Sequence, residues 1–481
     1  MTSLLLILLG CRSAPTPPAE PSPTTPVDDS ATATPRPTEP TPTGATATTG
    51  ATATTASSGD TGPSASLRPN VLVIVADDMG IDQLATYGAP GPLAPMPTVE
   101  ALAADGLVFE RAYALPRSAP ARATLLTGRL PSRHGVGTGI TADDALGLPD
   151  DELTLPELLD AAGAGYAAAA VGKWHLGTHQ HGGGASALNQ GFDHHIGSLA
   201  SLLDGWSLDG RPQDYFDWEK ATDGVVARTT EYATTACTDD ALHLLDGLPE
   251  PWFLWVSYNA PHVPLHVPPE GLYTTPMVGH DGEQQRFHAM LEAMDHEIGR
   301  LLDGLDPSVA ARTTVLFLGD NGTPDHGIPE SLPADRGKDT LFEGGIHVPF
   351  IAAGYGVTPG RTAALVGAPD LVPTVAELAG VDAHALAELD GVSFAPVLAS
   401  PTSLGQRSVV RAEFFEPNHA PERHDRMVHD GTYKLVERTA PGGTTHELYR
   451  IDGFVDGDDL FAAPLSKDAE AAYHALIPEL P

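Results

Sequence analysis

Among 481 residues there are only two cysteines, Cys11 and Cys237, so no internal disulfide is possible once the first is lost or modified. Positive charge is scarce too: 26 Lys and Arg stand against 63 Asp and Glu, a formal net charge of -37. Residues 1–67 carry only -3 of this, Arg12 and Arg36 against Glu20, Asp28, Asp29, Glu39 and Asp60, which leaves -34 on the remainder. Such an acidic balance excludes a nucleic-acid binder, which needs a basic footprint. It favours cation binding, and any anionic substrate must be held by a local cluster of positive groups. Long apolar runs are also missing, since residues 3–10 are too few to span a bilayer. The length itself allows a large α/β domain with an appendage, or several domains.

The run at 3–10 leads directly into Cys11 and reads as an export signal. Leu8-Leu9-Gly10-Cys11 resembles a bacterial lipobox, in which the cysteine is lipidated and becomes the mature N-terminus. No Lys or Arg precedes the run, so plain secretion and a chance apolar start remain alternatives. The expected location is outside the cytoplasm, lipid-anchored in a bacterial cell envelope or otherwise periplasmic or secreted. Residues 12–67 are almost wholly Pro, Thr, Ala, Ser and Gly. They offer no apolar face for a core, and the expected state is a disordered spacer between membrane and folded domain. The organisation expected is therefore signal 1–11, linker 12–67, a main domain 68–400 and a C-terminal subdomain 401–481.

Order begins with Asn70-Val71-Leu72-Val73-Ile74-Val75-Ala76, an apolar run of the kind buried on both faces of a parallel sheet. It ends in Asp77-Asp78, and two adjacent carboxylates at the C-terminal end of a buried strand lie where open α/β sheets bind ligands. A solvated acidic turn is the plain alternative. The pattern then recurs: residues 313–318 form a second apolar strand, ending in Gly319-Asp320-Asn321-Gly322. Asp77, Asp78, Asp320 and Asn321 together make an oxygen set suited to Ca²⁺ or Mg²⁺. Further strands are expected at 107–113, 166–171, 252–258 and 347–352, with helices at 98–106, 153–162, 229–245, 286–302 and 370–379. Residues 179–220, rich in His, Gly and Asp, show no period and read as a long loop. Met290, Met294 and Cys237 read as core. The tail alternates short strands, at 408–413, 426–429, 433–436 and 447–450, before a helix at 467–476, the pattern of a small antiparallel sheet.

Ser118-Ala119-Pro120-Ala121-Arg122 opens a short apolar helix. A hydroxyl at a helix N-terminus meets unpaired N–H groups and the positive end of the dipole, which suits attack on an anionic ester; an ordinary N-cap serine fits equally well. Lys173 and His175 lie two apart and would share a face in extended backbone. His262 lies in a loop flanked by Pro261 and Pro264, which suits a positioned acid or a plain structural histidine.

Ser118-x-Pro120-x-Arg122 with Leu126-Thr127-Gly128-Arg129 resembles the formylglycine signature of the sulfatases, in the alkaline phosphatase-like superfamily. Gly172-Lys173-Trp174-His175-Leu176-Gly177, Gln190-Gly191-Phe192-Asp193, Ala260-Pro261-His262, Gly319-Asp320-Asn321-Gly322, and Gly337-Lys338 through Glu343-Gly344-Gly345-Ile346-His347-Val348-Pro349 are similar to further family segments, in the same order. The resemblance covers about residues 68 to 460. It implies an α/β fold with a large mixed, mostly parallel sheet flanked by helices and a small C-terminal antiparallel sheet plus helix. It implies that Asp77, Asp78, Asp320, Asn321 and the modified side chain of Ser118 bind a divalent cation, Ca²⁺ before Mg²⁺. The hydrated aldehyde at 118 would attack sulfur, activated by the metal and Asp320. Lys173 and Lys338 would hold the sulfate, and His262 or Lys338 would protonate the leaving oxygen. Arg122 would steady the formylglycine, and His175 would take the proton that lets sulfate leave. The implied partners are a formylglycine maturase and a small or carbohydrate sulfate ester, and the acidic domain favours a short or monosulfated one. Ser118 stands where many members have Cys, and Ala121 where Ser is frequent. Unmodified, Ser118 would leave phosphate ester hydrolysis or a catalytically silent binding protein as alternatives.

Overall fold

The computed structural model describes residues 68–141, 144–203, 207, 209–277, 282–385 and 387–481; the expected signal and linker at 1–67 lie outside the described residues. Ten strands form the main sheet: β1 (Asn70–Ala76), β2 (Leu107–Tyr113), β3 (Ala167–Gly172), β4 (His194–Gly197), β5 (Trp218–Thr222), β6 (Val225–Thr229), β7 (Trp252–Ser257), β8 (Thr313–Gly319), β9 (Phe350–Gly354) and β10 (Gly360–Gly367). Their order is β10-β2-β9-β8-β1-β7-β3-β4-β5-β6. The central run from β8 through β1, β7 and β3 to β4 is parallel, whereas β9 and the β5/β6 hairpin are antiparallel.

The uninterrupted apolar strands follow from this position. Every residue of β1, β7 and β8 is buried because helices cover both faces. Alternate side chains serve opposite cores. Val71, Val73 and Val75 pack with Ala119, Ala123 and Leu126 of helix Ser118–Thr127. Leu72 and Ile74 pack with Met290, Met294 and Ile298 of helix Glu283–Asp303 and with Cys237. This is the mixed, mostly parallel α/β architecture expected.

The second sheet joins β11 (Val410–Glu416), β12 (Arg423–His429), β13 (Tyr433–Ala440), β14 (Gly443–Asp452) and β15 (Val455–Asp456) in antiparallel order. Its faces alternate as well: Val428, Leu435 and Leu448 pack with Ala469 and Leu476 of helix Lys467–Leu476, whereas Met427, Val436 and Tyr449 join the first core of the main sheet.

Several local expectations are corrected. The presumed loop at 179–220 contains the short helix Ser186–Asn189, β4 and the start of β5. Four residues of β4 are too few to show a period, and they become a strand by pairing beside β3. Residues 225–229, assigned in part to a helix, are β6; the left-handed Asp223 and Gly224 turn a hairpin before helix Ala233–Leu245. The strand expected from 347 starts at Phe350, because Pro349 has no N–H and His347 closes helix Glu343–Ile346. Strand β10 was not anticipated.

His134, His195 and His429 are among the described histidines that are buried and kept neutral. Burial, helped by Arg129, pushes His134 down to about 3, burial pushes His195 to about 4, and burial with Lys434 opposing Glu343 pushes His429 to about 4. In the unfolded chain each protonates near its ordinary value of 6.5. The unfolded state therefore binds more protons below that pH, so stability falls as pH drops from neutral towards 4, by up to about 1.4 kcal/mol per pH unit for each group. Urea unfolding between pH 7.5 and pH 4.5 checks this (roughly the titration window); a flat profile would contradict it.

Candidate active site

The four central strands β8, β1, β7 and β3 end side by side, and each delivers polar residues to the same place. Strand β1 delivers Asp77 and Asp78, β8 delivers Asp320 and Asn321, β3 delivers Lys173 and His175, and β7 delivers Ser257 and the loop to His262. Backbone bonds lock these ends together: Asp77 N–H donates to Ala260 O (3.2 Å), Asp320 N–H to Ala76 O (3.1 Å) and Lys173 N–H to Ser257 O (2.8 Å). Asp78 and His175 adopt left-handed backbone, with φ of 73° and 64°. Such strain in non-glycine residues persists only where the surroundings over-determine it. Lys173 and His175 thus converge through a turn after β3, not through the extended backbone expected.

Ser118 is the first residue of its helix, and its Oγ caps nothing; Arg117 occupies the cap position. The hydroxyl instead lies 2.9 Å from Asp77 Oδ1 and 3.0 Å from Asn321 Oδ1, so its single proton serves one of two acceptors. Asn321 turns its amide nitrogen to Asp78 Oδ1 (2.8 Å), which leaves its oxygen towards Ser118. Arg122, fully buried one turn on, donates Nε and Nη2 to Asp320 Oδ2 at 3.1 and 2.9 Å and Nη1 to Lys173 O at 3.0 Å and to Ser257 Oγ. Lys173 Nζ lies against Asp77 Oδ2, and Lys338 Nζ is 2.5 Å from Asp78 Oδ1. His262 Nε2 is 3.9 Å from Asp78 Oδ2. These contacts join Ser118, Asp77, Asp78, Asp320, Asn321, Arg122, Lys173, Lys338 and His262, and His175 lies near enough to feel the charges of Lys173, Arg122 and Asp77.

Electrostatics follow from burial and mutual charge. Burial alone would raise the Asp77 carboxyl, but Lys173, His262, Arg122 and Lys338 hold it well below the usual range. Asp78, resisted by its own burial, is lowered chiefly by Lys338. Asp320 goes the other way: burial and the Asp77 charge push it up to about 7 despite Arg122. Burial with Lys173 and Arg122 drives His175 well down, and burial with Lys338 and Lys173 takes His262 to about 4. Burial depresses Lys173, while Asp78 and Asp77 overcome it at Lys338 and raise that amine.

The cluster fits a hard divalent cation. Ligand atoms of Asp77, Asp78 and His262 lie within 4.8 Å of one another, and Asp320 and Asn321 add oxygens beside them. Arg122, Lys173 and Lys338 match the three carboxylates in number. With a divalent cation added, the cluster becomes net positive and suits an anionic ester. His262 belongs to the ligand-grade group, whereas the sequence had suggested a positioned acid or a structural histidine. Two supports were missed: Ser257, which accepts from Arg122, and Tyr215, whose hydroxyl lies 2.7 Å from both Asn259 O and His262 O and shares its single proton between them. A polar residue closing the apolar strand β7 was the available signal for Ser257; nothing local marked Tyr215.

Fold and site define an α/β protein of the class that gathers acidic, basic and hydroxyl side chains at the C-terminal ends of a central parallel sheet. More narrowly, the chain belongs to the Sulfatase family, which it matches over residues 69–381. It is similar to N-acetylgalactosamine-6-sulfatase of Homo sapiens, with 34% identity over 361 residues covering 69% of this chain. The chain spans only 66% of that protein's length. It is 30% identical to Arylsulfatase G of Rattus norvegicus, covering 87% of this chain and 86% of the relative. Among solved structures it resembles Ps i-CgsB in complex with k-i-k-neocarrahexaose, at a TM-score of 0.70, 26% identity, and coverage of 86% and 92% of the two chains.

Because Arg122 forks onto Asp320 as lysine cannot, Arg122→Lys is expected to weaken divalent-cation affinity by about 10–100-fold, the usual effect of losing a residue that orients a metal ligand. Calorimetric titration with calcium checks this, and unchanged affinity would contradict it.

Proposed function

We propose that this chain is a sulfuric ester hydrolase, acting on small or carbohydrate sulfate esters, whose working side chain is formylglycine made from Ser118. The observation that carries the proposal is the position of the Ser118 Oγ: buried at a helix start, between Asp77 and Asn321, with two lysines on the same carboxylate cluster. When present, the divalent cation, calcium in first choice, would supply charge stabilisation, and the hydrate of the aldehyde at 118 would supply a hydroxyl nucleophile that can be regenerated. Asp77, Asp78, Asp320 and Asn321 hold the cation, with the side chain at 118 beside them.

The remaining roles belong to the chain's own groups. Lys173 and Lys338 exchange part of their contact with Asp77 and Asp78 for sulfate oxygens, and their charge is strong there because little water shares the site. Lys338 Nζ, whose positive charge Asp78 and Asp77 sustain, gives the proton needed by the leaving oxygen. His175 is buried and neutral, as a group that accepts a proton must be. Arg122 fixes Asp320 and the first turn of the Ser118 helix together. The human relative is named for a sulfated sugar and the similar crystal structure holds a neocarrahexaose, which supports a carbohydrate sulfate as the substrate class. Export and lipid anchoring through Cys11, with maturation of Ser118 by a partner enzyme, complete the proposal. No helix among the described residues is long and apolar enough to cross a membrane.

Mass spectrometry of the Ser118 peptide from the native host, paired with hydrolysis of an aryl sulfate, tests the reading. The peptide is expected to be lighter by a pair of hydrogens and the sulfate to be turned over. Unmodified serine with turnover of phosphate but not sulfate esters would overturn it.

A further inference from the structure

A second buried charge cluster lies where the small sheet meets the main one. Lys434 on β13 is fully buried, and its Nζ lies 2.7 Å from Glu343 Oε1 and 2.9 Å from Asp456 Oδ1 and donates to Leu341 O at 3.2 Å. Asp456, on β15, also accepts from the Glu343 N–H at 2.6 Å, and its carbonyl accepts from Arg336 Nη1 at 2.7 Å. The other Glu343 oxygen meets Tyr113 Oη (3.2 Å) and His347 Nδ1 (3.0 Å). Lys434 thus holds the strap formed by residues 336–347 at Leu341 and Glu343, and its partner Asp456 holds the same strap at Glu343 and Arg336.

The far side of that strap lies on the site. Lys338 N–H donates to Thr323 O (2.9 Å), and Gly322 N–H, next to Asn321, donates to Gly345 O (2.9 Å). The backbones touch so closely that a Cβ on Gly322 would fall 1.9 Å from Gly344 O. A displacement of Glu343 is therefore transmitted to Lys338 and to the turn that carries Asn321, because neither backbone has room to absorb it.

We propose that Lys434 is a positioning residue: through Glu343 and Asp456 it sets the strap so that Lys338 Nζ is delivered to the anion-binding site. The inference rests on the sulfatase reading of Lys338. Stability alone does not require such a cluster, since well-packed apolar residues serve as well in buried positions; a buried charge with two fixed partners does impose one geometry. Glu343 and Lys434 are complementary in charge and stay ionised: burial opposes both, yet Lys434 lowers Glu343 far below the usual range, and Glu343 and Asp456 raise Lys434.

The test is a double-mutant cycle on the full chain loaded with calcium, with inorganic sulfate as the probe and calorimetry as the readout. Lys338→Ala alone is expected to weaken sulfate binding, which checks the anion site independently of Lys434. Lys434→Met is expected to weaken it about tenfold in the otherwise unaltered chain and less than about twofold in the Lys338→Ala background, because residues acting as one unit are not additive. Lys434→Arg, which keeps the charge, is expected to recover most of the loss. Because Lys434→Met strands two carboxylates, the neutralised pair Lys434→Met/Glu343→Gln is run beside it, with the same non-additivity expected if the single variant fails to fold. Equal losses in both backgrounds, or none in either, would overturn the positioning role while leaving the anion site standing. Unchanged sulfate affinity in Lys338→Ala would remove the anion site and this inference with it.

Discussion

The structure depends on keeping three carboxylates together, buried, at the tips of its central strands. Asp77, Asp78 and Asp320 would repel one another and resist desolvation if left alone, and each is instead met by a cation from a different part of the chain: Lys173, Lys338 and Arg122. At Asp320 burial and the neighbouring Asp77 still outweigh Arg122. The ligand atoms of Asp77, Asp78 and His262 lie close enough together that they could hold a metal ion. The net charge of -37 opposes long-range attraction of anions, so any anion must be held by a local cluster of positive groups such as this one.

Rigid backbone supports this balance from below. Parallel strands run side by side to their tips, so that the amides of Lys173 and Asp320 are bonded to neighbouring strands and that of Asp77 to the loop after β7, and their side chains have little choice of direction. Helix Ser118–Thr127 packs its small residues on the Val71, Val73, Val75 face of β1, which brings the hydroxyl to Asp77. The C-terminal sheet extends the same core, since Met427, Val436 and Tyr449 belong to it, and so it bears on the strap that carries Lys338 instead of hanging apart.

Much of this was legible locally. The apolar runs of β1, β7 and β8 announce strands buried on both faces, and the repeated strand-then-acid pattern at Asp77-Asp78 and Asp320-Asn321 announces a ligand site at their ends. The ordered motifs around Ser118, Lys173 and Lys338 carried the family resemblance. What was illegible has physical reasons as well. Strand β4 has four residues and exists because β3 offers an edge. The left-handed turn at His175 and the donation of Tyr215 to the His262 loop are set by packing against residues far away in sequence.

The sequence by itself determined the central buried strands, the helix at Ser118, the carriers of each chemical group and the acidic setting in which they must act, because periodicity, strand-end residues and net charge are properties of short stretches or of composition. Only the tertiary structure decided that the Ser118 hydroxyl serves Asp77 and Asn321 and not its own helix, that His262 lies within ligand distance of the two aspartates, and that Lys434 reaches Glu343. These contacts join residues from 41 to 203 positions apart in the case of Ser118 alone. Their energies come from charges meeting in a buried space that exists only once the sheet has closed over it.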